Sequence, residues 1–262
     1  MELETGGGNC SAGPRIRVSA REPQHRRITR ASIMGTICST TEPHVLPVGL
    51  EGMHQDVRVS GGEFYLFVKR VLDVVLAFLL LVTLLPLIAV IAMLIKLTSR
   101  GPVLFSHLRA GRGGKPFRMF KFRSMRHGAE NERPLVEHLN ESDGPTFKIA
   151  DDPRLTPIGK FLRRSSIDEI PQLLNVLRGE MSLVGPRPLW LPEAEKSVGA
   201  AGLRTRVKPG LTCLWQISGR SELGYDEWVR LDLYYIRHRG TLLDLLIMLQ
   251  TIPAVLTGRG AY

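Results

Sequence analysis

From Val74 to Ile95 the chain runs 22 residues without a charge, and Leu, Val, Ile and Ala fill most of them. A straight helix of that length reaches about 33 Å, enough to cross a hydrocarbon core of roughly 30 Å. Core helices of soluble proteins seldom stay apolar on every face for so long. The run therefore predicts membrane insertion, in an ordered region that begins near Phe64. Lys69 and Arg70 precede it, and Lys96, Arg100 and Arg109 follow it. Lys and Arg collect at cytoplasmic ends, so a helix that crosses should show the excess on one flank only. Pro86, near the middle, removes a backbone hydrogen bond and bends a helix. Together these features predict a helix that enters the membrane, breaks at Pro86 and returns to the same face; a single spanning helix is the alternative. Asp73 lies one turn inside the entry, where an unpaired charge is costly, and Lys69 and Arg70 are its expected partners.

After this segment the pattern shifts to short alternating pieces. PVLFSHLRAG and KPFRMFKFRSM read as two strands joined by the glycine-rich turn Gly111–Gly114. That turn ends in GGKP and lacks the Ser or Thr a P-loop places after its lysine, so nucleotide binding by that route is not expected. Residues 127–150 are polar and loop-like. TPIGKFLRR predicts a helix over Thr156–Arg164 with Pro157 in its first turn. Pro171 likewise belongs to the first turn of the next helix, which runs to Arg178 with Gly179 as its stop. This puts Asp168 at or beside an N-cap. An amphipathic helix over Tyr225–Arg237 precedes another over Thr241–Leu256, whose apolar face suits a membrane interface. Residues 1–62 show no sustained apolar period and predict a disordered tail, with a short strand near Ile33–Ile37. The expected organisation is a tail over 1–62, a re-entrant membrane helix over 63–99 and a compact domain over 100–262. Its fold class is α/β in the loose sense, α+β and mostly helical, with short strands and interfacial amphipathic helices.

Charge sharpens this outline. The formal net charge is +10, and residues 1–62, with seven Arg against six acids, hold only +1 of it. Lys96–Arg126 contains nine Lys and Arg and no acid. Such a block calls for an anionic neighbour: nucleic acid, phospholipid headgroups or a phosphorylated substrate. Cys10, Cys38 and Cys213 have neither disulfide-framework nor zinc spacing, which suits a reducing compartment.

The chemistry-bearing stretch is RRSSIDEIPQLLNVLRGEMSLVGPRP, from Arg163 to Pro188. Here the adjacent carboxylates Asp168 and Glu169 are framed by Arg163, Arg164 and Arg187. A carboxylate at a helix start faces the positive end of the macrodipole and unpaired N–H groups. With arginines beside it, Asp168 is expected to be ionised. An ionised carboxylate can attack phosphorus or ligate magnesium, and guanidinium groups can hold the non-bridging oxygens. Taken alone, the same pattern also describes a capped helix with surface ion pairs.

In order along the chain, KRVLDVVLAFLLLVTLLPLIAVIAMLIK, KFRSM, DPRLTPIGKFLRRSSIDEIPQLLNVLRGEMSLVGPRP and KPGLTCLWQISGR…LDLYYIRH resemble the bacterial sugar transferases. These are the monotopic polyprenyl-phosphate phosphoglycosyl transferases that start exopolysaccharide and glycoconjugate assembly. The resemblance covers residues 64–262. It implies transfer of a hexose-1-phosphate from a UDP-sugar to undecaprenyl phosphate, with release of UMP and with Mg²⁺ at the site. It also implies a place in the bacterial inner membrane, among its phospholipids, with the catalytic domain on the cytoplasmic face. Asp168 would be the nucleophile, forming a covalent phosphosugar intermediate, and a magnesium ligand; Glu169 would be its partner acid. Arg163 and Arg187 would contact phosphate, and Lys208 and Arg220 the nucleotide or lipid phosphate.

The sugar stays open between glucose, galactose and N-acetylated forms, as does homo-oligomerisation. Two departures from the family pattern stand out. Leu85 replaces a serine that often precedes the break proline, and Cys213 replaces a glycine, so a positive φ there would force the loop to adjust. A membrane-tethered scaffold without catalysis, holding anionic lipid through Lys96–Arg126, is the competing reading. Nucleic-acid binding lacks a stacking-aromatic or helix-turn-helix pattern.

Overall fold

The computed structural model describes residues 58–258 and Gly260, apart from Asp143 and Val198. The tail expected over 1–62 therefore lies outside the described residues as far as residue 57, as does the short strand near Ile33–Ile37.

Helix α1 (Glu63–Thr98) holds 36 residues, about 54 Å of rise, and is long and apolar enough to cross a membrane. It runs through Pro86, so the break expected there is not seen. A proline deletes one N–H donor, and the hydrogen bonds on either side persist. One stripe of the helix is buried, through Tyr65, Asp73, Ala77, Ile91 and Ile95. Phe67, Phe78, Leu85 and Met93 on its other sides are exposed.

The same folded domain holds α1 near both ends. Near the start, Asp73 accepts from Ser182 Oγ at 3.0 Å and from the Leu183 N–H at 2.9 Å. The ion pair expected with Lys69 or Arg70 does not form. Lys69 instead bonds Asp244 at 2.8 Å, and Arg70 caps the Val176 and Leu177 carbonyls at 2.7 and 2.8 Å. Tyr65 and Tyr235 also donate to Asp244. Near the far end, Ile91 and Ile95 pack with Phe122 and Leu162. There Arg123 donates to the Ser99 and Arg100 carbonyls at 2.8 and 2.6 Å.

Strands β1 (Leu104–Ala110) and β2 (Pro116–Phe122) form the expected antiparallel hairpin, with Ala110 opposite Pro116 and Leu104 opposite Phe122. Helix α2 (Pro157–Arg164) begins at Thr156, whose Oγ1 accepts from the Gly159 N–H at 3.0 Å. A Cβ on Gly159 would sit 1.7 Å from the Ser124 carbonyl oxygen. Only a glycine lets α2 approach the end of the hairpin this closely. Helix α3 (Gln172–Arg178) ends as expected at Gly179, in the left-handed region with φ 81°. Buried Asn175 ties it to β2, accepting from the Phe120 N–H at 3.0 Å and donating to the Arg118 carbonyl at 2.7 Å.

The polar pattern did not reveal the parallel pair β3 (Ser182–Val184) and β4 (Gly210–Thr212), nor the short helices α4 (Leu191–Lys196) and α5 (Leu214–Ile217). The two longer helices fall where periodicity places them, α6 at Tyr225–His238 and α7 at Thr241–Thr257. On α7, Leu242, Leu245, Leu249, Ile252 and Leu256 are exposed at steps of three and four residues, forming one apolar stripe. Cys213 has φ −156°, an extended backbone open to any residue, so its replacement of glycine asks for no adjustment.

Candidate active site

Asp168 and Glu169 do not cap α3. They lie in a separate 3₁₀ turn, Ile167–Glu169, launched by Ser166 at φ 56°, whereas the residue before α3 is Pro171. The left-handed step at Ser166 rotates the chain after α2, so the turn closes before α3 starts.

Both carboxylates meet a lysine from the hairpin. Lys121 Nζ stands 3.2 Å from Asp168 Oδ2 and 2.8 Å from Glu169 Oε1. Arg187 Nη1 reaches the same Glu169 oxygen at 3.4 Å. Arg163 Nε donates to Ser124 Oγ at 3.1 Å, and its charge acts on Asp168. Arg220 Nη1 donates to Ser166 Oγ at 3.4 Å, while its buried Nη2 has no partner among the described residues. Thus the structure brings Asp168, Glu169, Arg163, Arg187 and Arg220 together. Arg164 is exposed and stays apart.

Lys208 is also separate. Its Nζ and Arg70 Nη2 would stand 3.6 and 3.5 Å from a Cβ on Gly179, at the opposite end of α3 from the acids. Arg70 and burial both pull Lys208 below the usual lysine range.

Sequence reading missed Lys121, His107, Arg109 and Lys148. The first three share one face of the hairpin, because side chains alternate along a strand. With His107 opposite Met119 and Phe105 opposite Lys121, the alternation in F-S-H-L-R and F-R-M-F-K carried the signal. Of the missed residues only Arg109 and Lys121 belong to the Lys and Arg of the basic block Lys96–Arg126. Arg109 donates to His107 Nε2 and to the Pro188 carbonyl, and pairs with Glu193 at 3.6 Å. Lys148, from the polar loop, is pushed down to about 8 by burial and by the neighbouring charges of Arg187 and Arg220.

The two acids titrate apart. Burial raises Asp168 above the usual carboxylate range, against the pull of Lys121 and Arg163. The ionisation expected at a helix start is thus opposed by desolvation. Burial would raise Glu169 too, but Lys121 and Arg187 outweigh it and hold the carboxyl down at about 2. Glu169 therefore carries the fixed negative charge, and Asp168 is the more basic carboxylate. The cations outnumber the acids they surround. An arrangement of this kind can bind a multiply charged phosphate and stabilise charge moving between its oxygens.

Comparison with known proteins places this site in a broader frame. The family model for bacterial sugar transferases matches residues 64–258. The exopolysaccharide production protein ExoY of Sinorhizobium fredii is 42% identical over 201 residues, covering 74% of this chain and 88% of that protein. A UDP-glucose:undecaprenyl-phosphate glucose-1-phosphate transferase of Caulobacter vibrioides is 43% identical over 206 residues, 74% of this chain and 72% of that protein. The undecaprenyl-phosphate galactose phosphotransferase of Salmonella typhimurium is 39% identical over 204 residues, 75% of this chain but 42% of its own length.

Proposed function

The chain belongs to the bacterial sugar transferase family, and on that premise we propose that it moves a hexose-1-phosphate from a UDP-sugar to undecaprenyl phosphate, releasing UMP. One observation carries this reading. Lys121, Arg163, Arg187 and Arg220 gather on one carboxylate pair, with a buried guanidinium N–H of Arg220 left without an acceptor among the described residues. A diphosphate supplies the missing negative charge and the missing acceptors.

In this reading an Asp168 oxygen forms a bond to the sugar-bearing phosphorus as the bridging phosphorus–oxygen bond to UMP breaks. UMP leaves with the electron pair. The lipid's phosphate oxygen then attacks the same phosphorus, and Asp168 departs as a carboxylate. Desolvation makes Asp168 the more basic and hence the more nucleophilic acid once ionised. A Glu169 held at about 2 stays a carboxylate at neutral pH, so it positions Lys121 and Arg187 rather than carrying a proton. Those cations, with Arg163 and Arg220, take up charge developing on the phosphoryl oxygens.

Magnesium fits this set in one way. No group of three His, Cys, Asp or Glu gathers among the described residues, which disfavours an all-protein cage. Mg²⁺ is usually held by one or two carboxylates together with substrate phosphates, and only Oδ2 of Asp168 is engaged, by Lys121. Asp168 would hold the ion, and the ion would neutralise phosphate charge when bound.

The membrane reading is a monotopic one, on the cytoplasmic face of the inner membrane, and two features support it. The domain touches α1 at Asp73 and again at Ser99, residues about 39 Å apart on a straight helix. A domain on one side of a bilayer reaches both only if both lie on that side. The exposed stripe of α7 adds a second apolar surface for phospholipid. In this reading Lys208, beside an Arg70 that lies one turn before the apolar run, serves the lipid phosphate rather than the nucleotide.

The test is UMP release from a panel of UDP-sugars with undecaprenyl phosphate and Mg²⁺, in membrane fractions containing the protein. Turnover with one sugar, lost at least about a thousandfold in Asp168→Asn, is the expected result. Near-normal turnover of that variant removes Asp168 as nucleophile, and no turnover with any sugar leaves the scaffold reading in its place.

A further inference from the structure

His107 stands among the charges of the acid site without being one of them. Its ring is mostly buried, and its Nε2 accepts a hydrogen bond from Arg109 Nε. A guanidinium only donates, so Nε2 must keep its lone pair, and the ring's single proton belongs on Nδ1. That Nδ1–H is buried and has no partner among the described residues. A buried donor without an acceptor costs about 1–3 kcal/mol, and native interiors rarely leave one so. The charged groups that act most on the imidazole are all cations: Arg109, Lys121, Arg187 and Arg163. Burial and these charges keep the ring neutral, at about 2. A neutral donor is thus fixed in a cluster of positive groups with no acceptor among the described residues.

We propose that His107 is a substrate-binding residue, whose Nδ1–H donates to a non-bridging oxygen of the donor's diphosphate, with Arg109 as the positioning residue that sets its tautomer. The inference rests on the proposed use of a nucleotide diphosphate-sugar and adds a residue to that site. A neutral donor suits this place. It contributes a directional bond without adding to the mutual repulsion of the surrounding cations. Arg109 is itself held by the Pro188 carbonyl and by Glu193, so the imidazole is oriented from behind by the segment that carries Arg187.

The experiment uses the full chain in membrane-mimetic nanodiscs, with UDP as the probe for binding and UMP release for turnover. His107→Leu removes both ring nitrogens. His107→Asn keeps an N–H donor near the Nδ1 position. The expected result is a tenfold to hundredfold weaker UDP affinity in the Leu variant, the range for a hydrogen bond to a charged group, and a matching rise in KM for the UDP-sugar with kcat changed less than about threefold. The Asn variant should recover most of the affinity. UDP affinity within twofold of wild type in the Leu variant would mean that Nδ1 takes no part in binding, and overturns the proposal. An Asn variant as weak as the Leu variant overturns it as well, because a packing defect then explains both. Failure of the wider reading looks different: wild-type protein that neither binds UDP nor turns over a UDP-sugar.

Discussion

Ser166 and Arg220 are the two non-glycine residues with positive φ among those described, at 56° and 53°, and the Arg220 guanidinium donates to the Ser166 hydroxyl. Such backbone costs of order 1–3 kcal/mol at each site and persists where the surroundings hold it. Here the two strained residues meet beside the acids, so neither can relax without moving Asp168 or the arginine. Lys121 governs the charge state of that centre. Lys121→Met removes the largest attraction on both carboxylates, and an opposite charge this close is worth about 1–3 pKa units. The acid limb of the kcat/KM profile should therefore move up by about one pH unit or more, measured between pH 4 and 8. The stability effects of the two acids have opposite signs. Glu169, lowered from 4.5 to about 2, contributes stability that is present above about pH 4.5 and lost as pH falls towards 2. Asp168, raised by burial, favours the fold while protonated, and that contribution is lost as pH rises through its folded value. None of this was legible in the sequence. The acid pair and its arginines were, because they are neighbours along the chain or sit in a Pro-rich turn. The lysine that sets their protonation lies 47 residues upstream of Asp168 and looked like one more member of a basic block.

Among elements, α2, α6, α7 and the β1–β2 hairpin were readable because proline, threonine, glycine and apolar spacing mark their ends locally. β3 and β4 were not, since three-residue strands carry no period and pair across 28 residues (Ser182 with Gly210). Asn175 was missed for a related reason: nothing local says that a polar residue inside α3 is buried. Its amide replaces a stretch of sheet, closing the N–H of Phe120 and the carbonyl of Arg118 against the helix. Asn175→Ala should leave these two partly buried backbone groups without their side-chain partner, at up to about 1–3 kcal/mol each. Thermal unfolding should show a lower midpoint, and turnover should drop further than stability alone explains, because β2 also carries Lys121. Gly159→Ala gives a companion test. The Cβ would overlap the Ser124 carbonyl, and a rigid overlap of this kind typically costs about 1–3 kcal/mol or more. Because Arg163 hangs from the same helix and bonds Ser124, activity should fall with it.

At the scale of the molecule, the topology of α1 decides where the chemistry happens. With Cys10, Cys38 and Cys213 changed to serine, single cysteines at Gly62 and Arg100 should both resist a membrane-impermeant thiol reagent added outside intact cells. Both should react after permeabilisation. Labelling of either from outside would replace the proposed monotopic arrangement with a spanning one. The double basic flank predicts a one-sided arrangement, and on the proposed reading the attachment of α1 to one domain near both ends would hold it there.

That attachment also fixes a height. On the proposed monotopic reading, with Asp73 held by Ser182 of β3 and Ser99 by Arg123, the acid centre would keep a set height relative to the bilayer that holds α1. A catalyst held at constant height meets a lipid-borne acceptor by lateral diffusion alone. The concentration it senses is then a number per unit area, not per unit volume. Its rate should follow the mole fraction of lipid phosphate in a vesicle, falling as inert phospholipid is added at constant total acceptor, while the soluble sugar nucleotide obeys ordinary bulk saturation.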